Sequence, residues 1–125
     1  MTIHSSAIID PGAELGADVS VGPFSIIGPR VRIGRGTTIG SHSLIEANTI
    51  IGENCKIFHG ASIGGEPQIM SFEDVSSSVE IGDGTVVREY ATIHRSMFND
   101  GVTRIGKNCL LMAYSHLGHD CELGD

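Results

Sequence analysis

The sequence has no tryptophan, only two tyrosines and only four phenylalanines. A core built almost without large aromatics has to be filled by something regular and thin. Positive charge is scarce as well: eight lysines and arginines against fifteen aspartates and glutamates leave a formal net charge of −7. That argues against the basic surface by which proteins hold nucleic acid. No run approaches the roughly 18 apolar residues of a membrane-spanning helix. The N-terminus also lacks the charged-then-apolar build of a signal peptide, so cytoplasmic residence is the expectation. The cysteines, Cys55, Cys109 and Cys121, show no C-x-x-C pairing. All three are expected to be small buried thiols of a reducing compartment.

What the sequence does have is a period. Stepping by six from Ile3 meets Ile9, Leu15, Val21, Ile27, Ile33, Ile39, Ile45, Ile51, Ile57 and Ile63. The series resumes at Ile81, Val87 and Ile93, and again at Ile105, Leu111, Leu117 and Leu123. A glycine often follows the aliphatic residue, as at Gly16, Gly34 and Gly82, and two residues before it the side chain is small, as at Ser25, Thr37, Cys55 and Thr85. Such a period fits neither the 3.6 of a helix nor plain alternation. It suits a short strand followed by a turn, with one large and one small side chain inward on each side. The glycine after the aliphatic residue is expected to supply turn dihedrals that a Cβ penalises. Three such sides close a triangular coil of about 18 residues, and stacked coils lie roughly 4.8 Å apart. The expected fold class is all-β, a parallel β-helix of hexapeptide repeats.

The pattern breaks twice while its ends stay in step. Roughly Glu66–Ser78 and Ser96–Val102 are expected as loops thrown out from the coil, where binding residues tend to sit. The remainder makes eighteen hexads, or six coils, in a single domain covering residues 1–125. With nothing to cover the last coil at Asp125, the chain reads as truncated at its C-terminal end.

Three of the six histidines, His94, His116 and His119, fall late in the chain. If the second loop adds one hexad, its coil is about 24 residues long. Ile93 then stacks beneath Leu117, and His94 lies beside Gly118, near His119. On spacing alone, three readings stand open. The histidines are surface residues without a role; or they hold a metal, as in the γ-class carbonic anhydrases; or His119, next to Asp120, is a general base whose neutral imidazole takes a proton near pH 7. Adjacent strand residues usually point apart, so spacing alone does not pair His119 with Asp120.

Several runs are more specific. They are Phe58 through Gly64 (FHGASIG), Arg88–Glu89, Thr92–Ile93–His94–Arg95, Asn108 through Ala113, and Ser115–His116–Leu117–Gly118–His119–Asp120–Cys121. Together they resemble the UDP-N-acetylglucosamine O-acyltransferases. The resemblance implies a left-handed coil and transfer of an (R)-3-hydroxyacyl group from acyl carrier protein to the 3-hydroxyl of UDP-N-acetylglucosamine, the first step of lipid A synthesis. It also implies His119 as the base, Asp120 as its support, and His94, His116 and Gln68 as substrate-binding residues. No cofactor is called for, because the thioester is already activated, and no metal is expected. Family members are homotrimers with active sites between subunits.

The first loop departs from the family's usual P-Q-D-L-K-Y or F, reading Pro67–Gln68–Ile69–Met70–Ser71–Phe72. Ile69 and Ser71 replace a carboxylate and a cation, which puts Ser71 among the substrate-contacting positions and the identity of the acceptor in question. A nucleotide-sugar N-acyltransferase of the same fold, or a non-catalytic scaffold, are the alternatives. Acidic acyl carrier protein would need positive charge to dock on, and Arg88, Arg95, Arg104 and Lys107 border the proposed site.

Overall fold

The computed structural model describes residues 1–125 as strands and turns only. No helix is long and apolar enough to cross a membrane. Eighteen short strands form three six-stranded sheets. The first runs β1 (Thr2–Ile3), β4 (Ser20–Val21), β7 (Thr38–Ile39), β10 (Lys56–Ile57), β13 (Val86–Val87), β16 (Leu110–Leu111). The second runs β2 (Ile8–Ile9), β5 (Ile26–Ile27), β8 (Leu44–Ile45), β11 (Ser62–Gly65), β14 (Thr92–His94), β17 (His116–Leu117). The third runs β3 (Glu14–Leu15), β6 (Arg32–Ile33), β9 (Thr49–Ile51), β12 (Ser78–Ile81), β15 (Val102–Ile105), β18 (Glu122–Leu123). Pairing is parallel and sets aliphatic on aliphatic, Val21 on Ile39, Ile27 on Ile45 and Ile33 on Ile51. The result is a triangular column of six coils, as the period required.

The inward aliphatic residues fill the column: Ile27, Ile45, Ile51, Ile63 and Ile93 are each at most 1% exposed. Each such burial is worth about 1.5–3 kcal/mol. The small inward residues have a second job. Thr37 donates its hydroxyl to the carbonyl of Gly52 at 2.7 Å and accepts the Cys55 amide at 3.0 Å. Thr85 does the same with Gly106 and Cys109. A hydroxyl here thus satisfies corner groups of the next coil that no strand ladder reaches.

The repeat glycine has a different reason from the one its position suggests. The positive φ falls three residues after the aliphatic one, at Asp18, Phe24, Arg30, Asn54, Tyr90, Asn108, Tyr114 and Asp120 among others. At most repeat positions the glycine directly after the aliphatic residue is required by crowding, while Gly64, at φ +89°, does supply the turn dihedral expected of it. A Cβ at Gly34 would lie 2.6 Å from the carbonyl carbon of Gly52, and one at Gly82 would lie 2.6 Å from that of Gly106. Backbone of the next coil passes there and cannot yield.

Both loops are a residue shorter at their far ends than the pattern break suggested. Ser78 opens β12 and Val102 opens β15, because Ser78 and Val102 pair in register. The coil holding the first loop, residues 66–77, closes over 30 residues, and the one holding the second, residues 95–101, closes over 24. Of the cysteines, Cys55 and Cys109 are buried, and burial pushes the Cys55 thiol's pKa up. Cys121 is exposed, contrary to expectation, because no coil lies above it in the structure.

Candidate active site

The two loops lie together at one corner of the column. Ser77 of the first donates its hydroxyl to the carbonyl of Ser96 in the second at 2.6 Å, and the Asp100 amide donates to the Ser76 carbonyl at 2.5 Å. Arg95 clasps the first loop. Its guanidinium donates to the Val75 carbonyl at 2.8 Å, to Ser77 Oγ at 3.2 Å and to the Asp74 carboxylate at 2.9 Å, and it lies over the Phe72 ring.

The second loop reaches down to Asp120. The Ser96 hydroxyl donates to Asp120 Oδ1, and the Met97 amide donates to Oδ2 at 3.1 Å. His119 Nδ1 lies 3.0 Å from the same Oδ2. Burial alone would raise the Asp120 pKa, but the Ser96, His119 and Met97 hydrogen bonds outweigh it and hold the carboxyl below its ordinary range. Asp120 is therefore an anion near neutrality and can only accept. The proton between the two side chains belongs to His119 Nδ1, so the neutral imidazole has its free lone pair on Nε2. The pairing that strand geometry disfavours is made possible by the corner: Asp120 sits at φ +65°, off the strand.

Ile93 lies on Leu117 and Thr92 on His116, as a coil lengthened by one hexad demands. His94 and His116 meet edge to face with ring centroids 5.1 Å apart. His116 Nδ1 is 2.7 Å from Thr92 Oγ1. His94 Nδ1 bonds the carbonyl of Glu66; a carbonyl only accepts, so this nitrogen carries a proton. His119 stacks on neither ring. No group of three or more His, Cys, Asp or Glu side chains gathers where it could hold a metal.

Gln68 and Ser71 stand exposed on the first loop, and neither bonds any of the three histidines. The expected cationic border is mostly committed elsewhere. Arg88 pairs with Glu89 at 2.8 Å and lies over Phe58; Arg104 pairs with Glu80 at 2.9 Å and reaches Glu122 at 3.8 Å; Arg95 pairs with Asp74. Of the four side chains, that of Lys107 alone has no carboxylate partner; its backbone amide donates to Asp125 at 2.7 Å. Sequence reasoning missed Ser96, Ser77 and Thr103, whose Oγ1 accepts the Asp120 amide at 2.9 Å. Thr103 was visible in principle, since it holds the small slot two residues before Ile105.

The family described as bacterial transferase hexapeptide (six repeats) matches residues 12–47 and 30–65. The acyl-[acyl-carrier-protein]–UDP-N-acetylglucosamine O-acyltransferase of Sulfurihydrogenibium sp. is 57% identical over 97% of this chain and 45% of its own length. That of Trichlorobacter lovleyi is 51% identical over 100% of this chain and 48% of its own. The solved LpxA structure from Acinetobacter baumannii superposes with a TM-score of 0.96 at 42% identity, covering 100% of this chain and 49% of that one. The chain belongs to the UDP-N-acetylglucosamine O-acyltransferase family. It spans about half the length of the curated relatives it matches. With that kinship the winding is settled, and the column is the left-handed parallel β-helix of hexapeptide-repeat acyltransferases.

Proposed function

We propose that the protein moves an (R)-3-hydroxyacyl group from acyl carrier protein to the 3-hydroxyl of UDP-N-acetylglucosamine, opening lipid A synthesis. The observation that carries this reading is the His119–Asp120 pair, an imidazole whose Nδ1–H is spent on an anion and whose Nε2 is free to accept. Nε2 takes the proton of the sugar hydroxyl as its oxygen attacks the thioester carbonyl. A C–O bond forms, the tetrahedral adduct collapses, the C–S bond breaks, and the imidazolium returns its proton to the departing thiolate. Asp120 stabilises the imidazolium between the two transfers. His94 and His116 bind the acceptor beside the base, with Gln68 and Ser71 of the first loop completing the contact.

Two of the relatives described above are named for this reaction, which favours an oxygen acceptor over an amine. The uncharged Ile69 and Ser71 favour the amine reading. Turnover with UDP-N-acetylglucosamine against its 3-amino analogue separates them, and none with either supports a scaffold. His119→Ala should lower turnover by about 10²–10⁴-fold with the fold unchanged, since the ring is partly exposed. A comparable rate in the variant would remove His119 from the mechanism.

The same reading makes the protein a cytoplasmic homotrimer. Ile8 and Ile26, paired on the outer face of the second sheet and 63% and 43% exposed, favour self-association. The mass in solution checks it.

A further inference from the structure

We infer that Ser96 is the positioning residue of the site, acting through Asp120 on the tautomer of His119. The inference rests on the proposed role of His119 for its meaning in catalysis, although not for its geometry. Ser96 is fully buried, and its hydroxyl has one direction open to it. Its oxygen accepts the Phe98 amide at 3.0 Å, and its proton goes to Asp120 Oδ1. The other carboxylate oxygen takes the Met97 amide and His119 Nδ1–H. With Oδ1 held from one side and Oδ2 from two, the carboxylate plane is fixed, and Oδ2 faces the imidazole. An ionised carboxylate that keeps this orientation demands hydrogen on Nδ1 and leaves Nε2 bare; one free to rotate does not.

The hydroxyl is itself held. The Ser96 carbonyl accepts from Ser77, and Ser77 Oγ accepts from Arg95. Opposite, Gly101 leaves the space the hydroxyl occupies: a Cβ there would fall 2.0 Å from Ser96 Oγ and 2.8 Å from its Cβ. Two positions therefore control one hydrogen bond, one by supplying the donor and one by making room for it. No repeat position accounts for either, since both lie in the second loop.

The test is nitrogen NMR of the histidine rings in the 125-residue chain, above the titration range of the imidazole, for the parent and three variants. The parent should hold His119 mainly as the Nδ1–H tautomer. Ser96→Ala should lower the Nδ1–H to Nε2–H ratio by about tenfold, the worth of one hydrogen bond to a charged group. Gly101→Ala should shift the ratio in the same direction with the serine still present, so the inference survives a poorly folded Ser96→Ala. Ser77→Ala, which leaves the Ser96 hydroxyl in place, should lower the melting temperature and move the ratio by less than about twofold. A folded Ser96→Ala with the parent's ratio would show that Ser96 anchors the loop and nothing more. Failure of the base reading looks different: turnover persists in His119→Ala whatever the tautomer ratios are.

Discussion

The Arg95 clasp gives the sharpest quantitative test, because its contacts differ in kind. Arg95 is 15% exposed and Asp74 is 85% exposed, so their ion pair is a surface pair worth at most about 1 kcal/mol. The bonds to the Val75 carbonyl and Ser77 Oγ lie under the loop, and bonds from a charged donor contribute about 1.5–3 kcal/mol each. Stacking on Phe72 adds about 0.5–1 kcal/mol. Taking the lower end for the two loop bonds, Arg95→Met should destabilise the closed loop by about 3 kcal/mol, and Asp74→Ala by less than about 1 kcal/mol. The cost is local, since the clasp holds one loop to the other, through Val75, Ser77, Asp74 and Phe72. The assay is hydrogen exchange at the Asp100 and Ser78 amides, which donate to Ser76 and Gly101 across the loop junction. Arg95→Met should speed their exchange about a hundredfold and Asp74→Ala less than about fivefold, with amides of the first coils unchanged. Equal effects of the two variants would mean that the ion pair, not the carbonyl and hydroxyl contacts, holds the loop.

Gly34→Ala should cost about 1–3 kcal/mol in urea unfolding, because its Cβ meets only backbone, whereas Gly118→Ala, with nothing nearer than 3.8 Å, should be close to neutral; a tolerated Gly34→Ala would refute the crowding account. Ser71→Lys should tighten nucleotide-sugar binding at low salt by no more than about 1 kcal/mol, and unchanged affinity in calorimetry would place Ser71 away from the ligand. Asp120 has a folded pKa below its ordinary 3.8, so its contribution is whole above that pH and is lost as the pH falls through the lower, folded value. The Met97 amide shift, followed by NMR, should titrate with a midpoint below 3.8, and a midpoint above it would mean that the carboxylate is not held as described.

The column was legible because its rule is periodic. Each of Ile27, Ile45 and Ile63 had only to be apolar and in phase, and phase is what a sequence displays. The glycine was seen and, Gly64 apart, its reason misjudged: the crowding at Gly34 is set by the backbone of a coil 18 residues on, which local turn chemistry does not report. The stacking of Ile93 on Leu117 was legible for the same periodic reason once the second loop was counted as one hexad, but the meeting of His94 with His116 rather than with His119 was not. Ser96 and the Arg95 clasp were not, because they lie in the two segments that leave the period. There the partners are fixed by how one loop folds on another, and contacts such as Ser77 to Ser96 carry no spacing rule. Arg88, Arg95 and Arg104 were read as a cationic border, and their pairing with Glu89, Asp74 and Glu80 was not legible because it depends on which side chains face each other in the fold.

The break in the pattern and the chemistry coincide for a physical reason. Along an uninterrupted coil, each corner repeats a left-handed residue that packs on the corner of the coil before it, as Asn54 does on Gly36 and Asn108 on Gly84. Such a corner is rigid, and its polar groups are already spent on the next coil. At Asp120 the preceding turn is the second loop, so the carboxylate finds not a backbone corner beneath it but the Ser96 hydroxyl and the Met97 amide. The corner still supplies what a strand does not, two adjacent side chains that converge, while the loop supplies donors that keep the carboxylate charged. A base needs both: placement from the column, and an oriented anion that only a departure from the repeat provides. Shortening the second loop to restore an unbroken coil should therefore keep the fold and lose the His119 tautomer bias, which the same nitrogen NMR reads directly.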